Sequence, residues 1–222
     1  MRVQCQLTGK DGNFFMKHRL HPAEIALMVL AALILTSGAA ALRTRSALAD
    51  KVVRLHVLAN SDSEADQALK LKVRDAVLAE ATEALRGTES REEAGRRLTA
   101  LLPELEKTAQ SVITENGYAY GVRAELTETP FPTKEYDGFA LPAGEYLALR
   151  VLIGEAAGQN WWCVVFPPLC TVAASDVPAA ALDAGLTEQE VALITEADEG
   201  YVLKFKSMEL WQALKDRLAP ST

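Results

Sequence analysis

Residues 52–74, VVRLHVLANSDSEADQALKLKVR, place a strand, a sharp turn and a helix start in one short stretch, and the remaining chain has to be arranged around that unit. Val53, Leu55 and Val57 alternate with Arg54, His56 and Leu58, the two-residue period of a strand with one strongly apolar face. Asn60, Ser61, Asp62 and Ser63 stop it, because their short polar side chains bond nearby backbone. Ser61 and Glu64 have capping-box spacing, so a helix is expected from near Asp62. Its acids, Asp62, Glu64 and Asp66, precede Lys70, Lys72 and Arg74, the order that a helix dipole favours. Two readings of the turn stand side by side. In one it only caps the helix, with His56 a structural residue bonded to Asp62. In the other, Arg54, His56, Asn60 and Asp62 form a polar recognition surface on a loop held by a rigid scaffold.

The run RLHVLANSDSEADQALKLKVRDAV, taken with FPTKEYDGFALPAGEYLALRVLIGEAAGQNWWCVVFPPLC further on, resembles stage II sporulation protein R. That family consists of exported signalling proteins of endospore-forming bacteria, and the resemblance runs from about Lys51 to Leu218. It implies a ligand rather than an enzyme: a protein made in the forespore and exported into the space between forespore and mother-cell membranes. There it would trigger a membrane-embedded aspartic peptidase that processes pro-sigma-E.

The leader supports export independently. Lys17, His18 and Arg19 precede an apolar run from Ile25 to Leu35 and then small residues from Thr36 to Ala41, the order of a secretory signal. Residues 16–41 are therefore read as a signal peptide, cut after Ala39-Ala40-Ala41 or Ala47-Leu48-Ala49, or kept as a transient membrane anchor. Residues 1–15 lack periodicity and are read as an untranslated or disordered extension, with Met16 as the true start. Residues 42–50 are a linker and 51–218 a single globular domain, which suits a chain of 222 residues. The net charge of −7 disfavours nucleic acid, whose phosphates need clustered Lys and Arg, and disfavours a polybasic membrane contact.

The first helix is expected to end near Leu85 and a second to start at Ser90, which pairs with Glu93 as a capping box. Leu98, Leu101, Leu102, Leu105, Ala109, Val112 and Ile113 fall on one helical stripe. Pro103 inside it predicts a kink or a split, and Asn116-Gly117 a stop. From Tyr118 to Thr127 the period becomes two; Thr129–Gly144 is turn-rich; Glu145–Gly154 reads as a central strand, and Trp161–Phe166 as the third strand of an antiparallel meander. Thr187 and Glu190 cap a short helix, Tyr201–Lys206 reads as an edge strand, and a last helix would bury Leu210, Trp211, Leu214 and Leu218. The fold class is α+β, a small mostly antiparallel sheet with helices packed on one face.

Beyond the leader His56 is the only histidine, which excludes a multi-histidine zinc site, and no cofactor is expected. Cys163 and Cys170, in an exported chain, pair as a disulfide across the stiff Pro167-Pro168 bend, or else one serves as a nucleophile beside His56. Trp161 and Trp162 are core packing, or one exposed indole anchors a partner. The rival to a signal is an exported cell-envelope hydrolase in which His56 and Asp62 activate water. A weaker rival is a small-molecule binding module built on the tryptophans.

Overall fold

The computed structural model describes residues 21–29 and 46–195. The chain divides into two compact units, residues 1–41 and 42–222. In the first, residues 22–29 are helical, opened by the His21 amide donating to Glu24 Oε2 at 2.8 Å, with Leu27 and Met28 exposed. No helix among the described residues is long and apolar enough to cross a membrane. The rest of the leader, and the strand and helix expected after residue 200, lie outside the described residues.

The second unit runs β1 (Val53–Leu58), α1 (Glu64–Ala84), α2 (Arg91–Glu115), β2 (Val122–Phe131), β3 (Lys134–Tyr136), β4 (Phe139–Leu141), β5 (Gly144–Ile153) and β6 (Asn160–Phe166). A 3-10 turn at Ala174–Asp176, α3 (Val177–Asp183) and α4 (Glu188–Thr195) follow. The fold is α+β, with one four-stranded sheet in the order β2-β5-β1-β6 and a separate β3–β4 hairpin. β2–β5 and β1–β6 are antiparallel, and β1–β5 is parallel. The expected meander is thus corrected: β1 lies between β5 and β6. All of β1 except Leu58 is buried, so it needs a partner on each edge, which a terminal place in a meander would not supply. Residues 154–159 carry the chain past the end of β1, where the Ala157 amide donates to Asn60 O at 3.2 Å and Gly158 to Ala59 O at 3.0 Å. Gly158 is required there, since a Cβ would lie 2.2 Å from Ser61 O.

On one face of the sheet Val53, Leu55, Val57, Leu149 and Val151 meet Leu69, Val73 and Val77 of α1 and Leu98, Leu105 and Ile113 of α2. The opposite face is covered too. Tyr146, Ala148 and Val164 lie under Phe131, the hairpin's Phe139 and Leu141, Val177 of α3 and Ile194 of α4. The two long helices pack on one face, as expected, and the short α3 and α4 join the hairpin in the layer over the other. Leu48 is fully buried in this second layer, so residues 46–50 belong to the folded unit and not to a linker. Lys51 Nζ fastens that end by donating to Glu190 Oε2 at 2.7 Å. Burial opposes the charge on Glu190, yet the bonds from Lys51 and Thr187 hold its carboxyl below the usual range.

Local signals place the boundaries. Ser90 caps α2 by accepting from the Glu93 amide at 3.3 Å, and Thr187 and Glu190 cap α4 reciprocally at 3.3 and 2.7 Å. Pro103 lies inside one continuous α2 and does not split it. β2 begins at Val122 and continues to Phe131, later than the alternation from Tyr118 predicts, and the hairpin occupies what reads as turns.

Candidate functional site

The polar turn after β1 is knitted inward. α1 starts at Glu64, and its N-cap is Ser63, whose Oγ accepts from the Asp66 amide at 3.1 Å; Ser61 is not the cap. Ser61 Oγ instead donates to Asp66 Oδ2 at 2.5 Å, beside Asn60 Nδ2 at 2.9 Å. These two bonds hold the buried Asp66 carboxyl below the usual carboxylate range. Asn60 Oδ1 accepts from the Glu155 amide at 3.0 Å and Asp62 Oδ1 from the Gln159 amide at 2.7 Å. Lys70 Nζ donates to Gln159 O at 3.0 Å, and burial, with Arg74 nearby, lowers its pKa. Asn60 and Asp62 thus anchor the backbone of the connection to β6.

Arg54 and His56 do not face solvent. Their side of β1 lies under the second layer, and they are 0% and 5% exposed. Arg54 Nη2 donates to the Tyr136 hydroxyl at 2.6 Å, and its guanidinium lies 4.0 Å from the Phe131 ring centroid and 4.9 Å from that of Tyr146. Its Nε and Nη1 find no acceptor among the described residues. His56 stacks on Trp162 with centroids 3.9 Å apart, and its Nε2 bonds Asn160 Oδ1 at 2.7 Å, not Asp62. Burial, aided by the charges of Arg150 and Arg54, pushes its pKa down to about 4, so it is neutral near pH 7. A buried, neutral ring bonded away from Asp62 is not placed to activate water for a substrate.

Cys163 and Cys170 form a disulfide with Cα atoms 6.1 Å apart, so neither is a free nucleophile beside His56. Cys170 Sγ also accepts from the Val164 amide at 3.0 Å, pinning the bend to β6. The two indoles divide their work. Trp162 fills the layer between His56 and Phe131, whereas Trp161 is 37% exposed with the Arg74 guanidinium 4.2 Å from its ring centroid. Both line, with the disulfide, Tyr136 and Leu169, a cleft of about 300 Å³ whose rim carries Asp75 and Asp137.

The candidate residues therefore separate into three places. Trp161, Trp162 and the disulfide share the cleft. Arg54 and His56 support its wall from behind through Tyr136 and Trp162, while Asn60 and Asp62 tie the turn. Tyr136, Arg74, Asp75 and Asp137 escape a sequence reading, since no spacing relates α1 and the hairpin to β6. No cluster of metal-ligating residues occurs among the described residues.

The profile of the family described as "Stage II sporulation protein R (spore_II_R)" matches residues 49–176, which include all of these positions. A relative from Bacillus subtilis (strain 168), "Stage II sporulation protein R", is 43% identical over 121 residues, 54% of this chain and 54% of the relative. The chain thus spans about half the length of the curated relative it matches. No solved structure matches it.

Proposed function

The chain belongs to the stage II sporulation protein R family, and on that premise we propose that it is an exported signal of sporulation that activates the membrane-embedded aspartic peptidase processing pro-sigma-E. It would act between forespore and mother-cell membranes, delivered by its leader. It has no catalytic role in this reading: it docks on the peptidase through the surface at Trp161 and Trp162. The observation that carries the reading is Trp161, a large aromatic left 37% exposed at a cleft, the kind of side chain that anchors interfaces. Arg54 and His56 contribute as positioning residues, the first by holding the Tyr136 hydroxyl and the second by stacking on Trp162. Asn60 and Asp62 fix the connection that delivers β6 to the edge.

The test is co-expression of this protein, the peptidase and pro-sigma-E in a non-sporulating host, with each component omitted in turn. Processing should require all three. Cleavage of pro-sigma-E by this chain without the peptidase would return the hydrolase reading to the front. No cleavage by the complete set would end the activator reading.

A further inference from the structure

β6 ends the sheet, and its outer edge has no strand beside it among the described residues. The Val164 amide points to Cys170 Sγ, away from β1, so by the alternation of an antiparallel strand Trp162 and Asn160 also turn their N–H and C=O groups outward. The disulfide bend closes this edge at Val164. An open stretch of about 10 Å remains at Asn160–Trp162, three residues at the rise of an extended chain. Exposed edges are usually protected by Lys, Pro or an inward charge; β6, NWWCVVF, carries none. The cleft lies along the same edge, because its walls come from both faces of the sheet: Arg74, Asp75 and Leu78 of α1 on one side, Tyr136 and Phe139 on the other. An edge flanked by such a cleft is the geometry that receives a strand.

We propose that an extended segment of the activated peptidase adds to the edge of β6, with one aromatic or leucine side chain entering the cleft and an adjacent Lys or Arg meeting Asp137. This rests on the activator reading and specifies its contact. The charge pattern selects the occupant. Asp75 is 65% exposed but pairs with Arg74, which also lies over Trp161, so it is Asp137, exposed and without an ion partner among the described residues, that leaves the rim negative. A second copy of the chain pairing β6 to β6 would bring two such rims together, and like charges across an interface oppose that pairing.

A photo-crosslinking phenylalanine analogue at position 161, with a control at Arg123 on the opposite edge strand, tests this in the co-expression host. Position 161 should yield an adduct with a peptidase segment that carries Lys or Arg beside an aromatic or leucine residue; position 123 should yield none. The variant Asp137→Asn should fold normally and process up to about fivefold less, the scale of one rim ion pair lost. Adducts with a second copy, or with this chain's own residues 201–206, would overturn the proposal. So would intact processing without a peptidase adduct. If the unmodified chain triggers no processing, the activator reading itself has failed, a result distinct from failure of the cleft alone.

Discussion

Arg54 shows how far a residue's role depends on what covers it. Alternation along β1 places Arg54 and His56 on one face, and polar types on a strand face read as solvent-exposed. The residues that enclose them, Phe131, Tyr136, Tyr146 and Trp162, arrive from elsewhere in the sequence, so the burial is invisible to any local period. Arg54→Ala should leave a cavity and lower stability by about 2–5 kcal/mol, whereas Arg54→Met, which fills the cage without leaving donors unpaired, should cost far less. Urea titration of both variants measures the difference. His56 predicts a pH dependence whose sign follows from its lowered pKa. The unfolded ring takes its proton near pH 6.5 and the folded one only near 4, so the unfolded state gains as pH falls. Stability should be full above about pH 6.5 and decline toward pH 4 by at most about 3 kcal/mol. His56→Phe should flatten that slope in denaturant titrations taken across the range; an unchanged slope would mean that another group carries it.

The elements were legible where a cap and a period agree. Both long helices, β1, β5 and β6 lie close to where the sequence puts them, and Ser90 and Thr187 cap as their spacing implies. In the turn before α1, spacing assigns the cap to Ser61, three residues before Glu64, and misses Ser63. Ser63 caps because Ser61 is drawn onto the buried Asp66 carboxylate, a tertiary bond that spacing cannot show. Ser63→Ala should cost about 1 kcal/mol by thermal unfolding, with processing falling only as the folded fraction falls. Strand order was less legible: a short connection from β5 to β6 reads as a hairpin, yet the connection bonds to Asn60 and Asp62 and leaves room for β1 between them. The disulfide belongs to this scale, since it fixes the bend at the end of β6. Mass spectrometry without reductant should find the chain two protons light, and Cys170→Ser should lower stability by about 2–3 kcal/mol on the loop-entropy scale. Free thiols in protein handled under oxidising conditions would contradict it.

Residues 46–195 form an α+β unit in which both faces of one sheet are packed and the β6 edge has no strand beside it among the described residues. The family match from 49 to 176 covers the sheet, the cleft and the turn, and the runs NSDSEADQALK and NWWCVVFPPLC that carry the resemblance prove to be neighbours. Asp62 and Lys70 of the first bond the backbone at Gln159, directly before the second. That juxtaposition makes the polar run a support for the aromatic one, and it concentrates the proposed signal on a single side chain. The decisive measurement is pro-sigma-E processing in the co-expression host by Trp161→Ala, alongside its thermal midpoint and its exported amount. The account predicts wild-type folding and export with processing reduced at least tenfold, the scale of an interface anchor. Full processing by that variant would show that the signal is delivered from another surface.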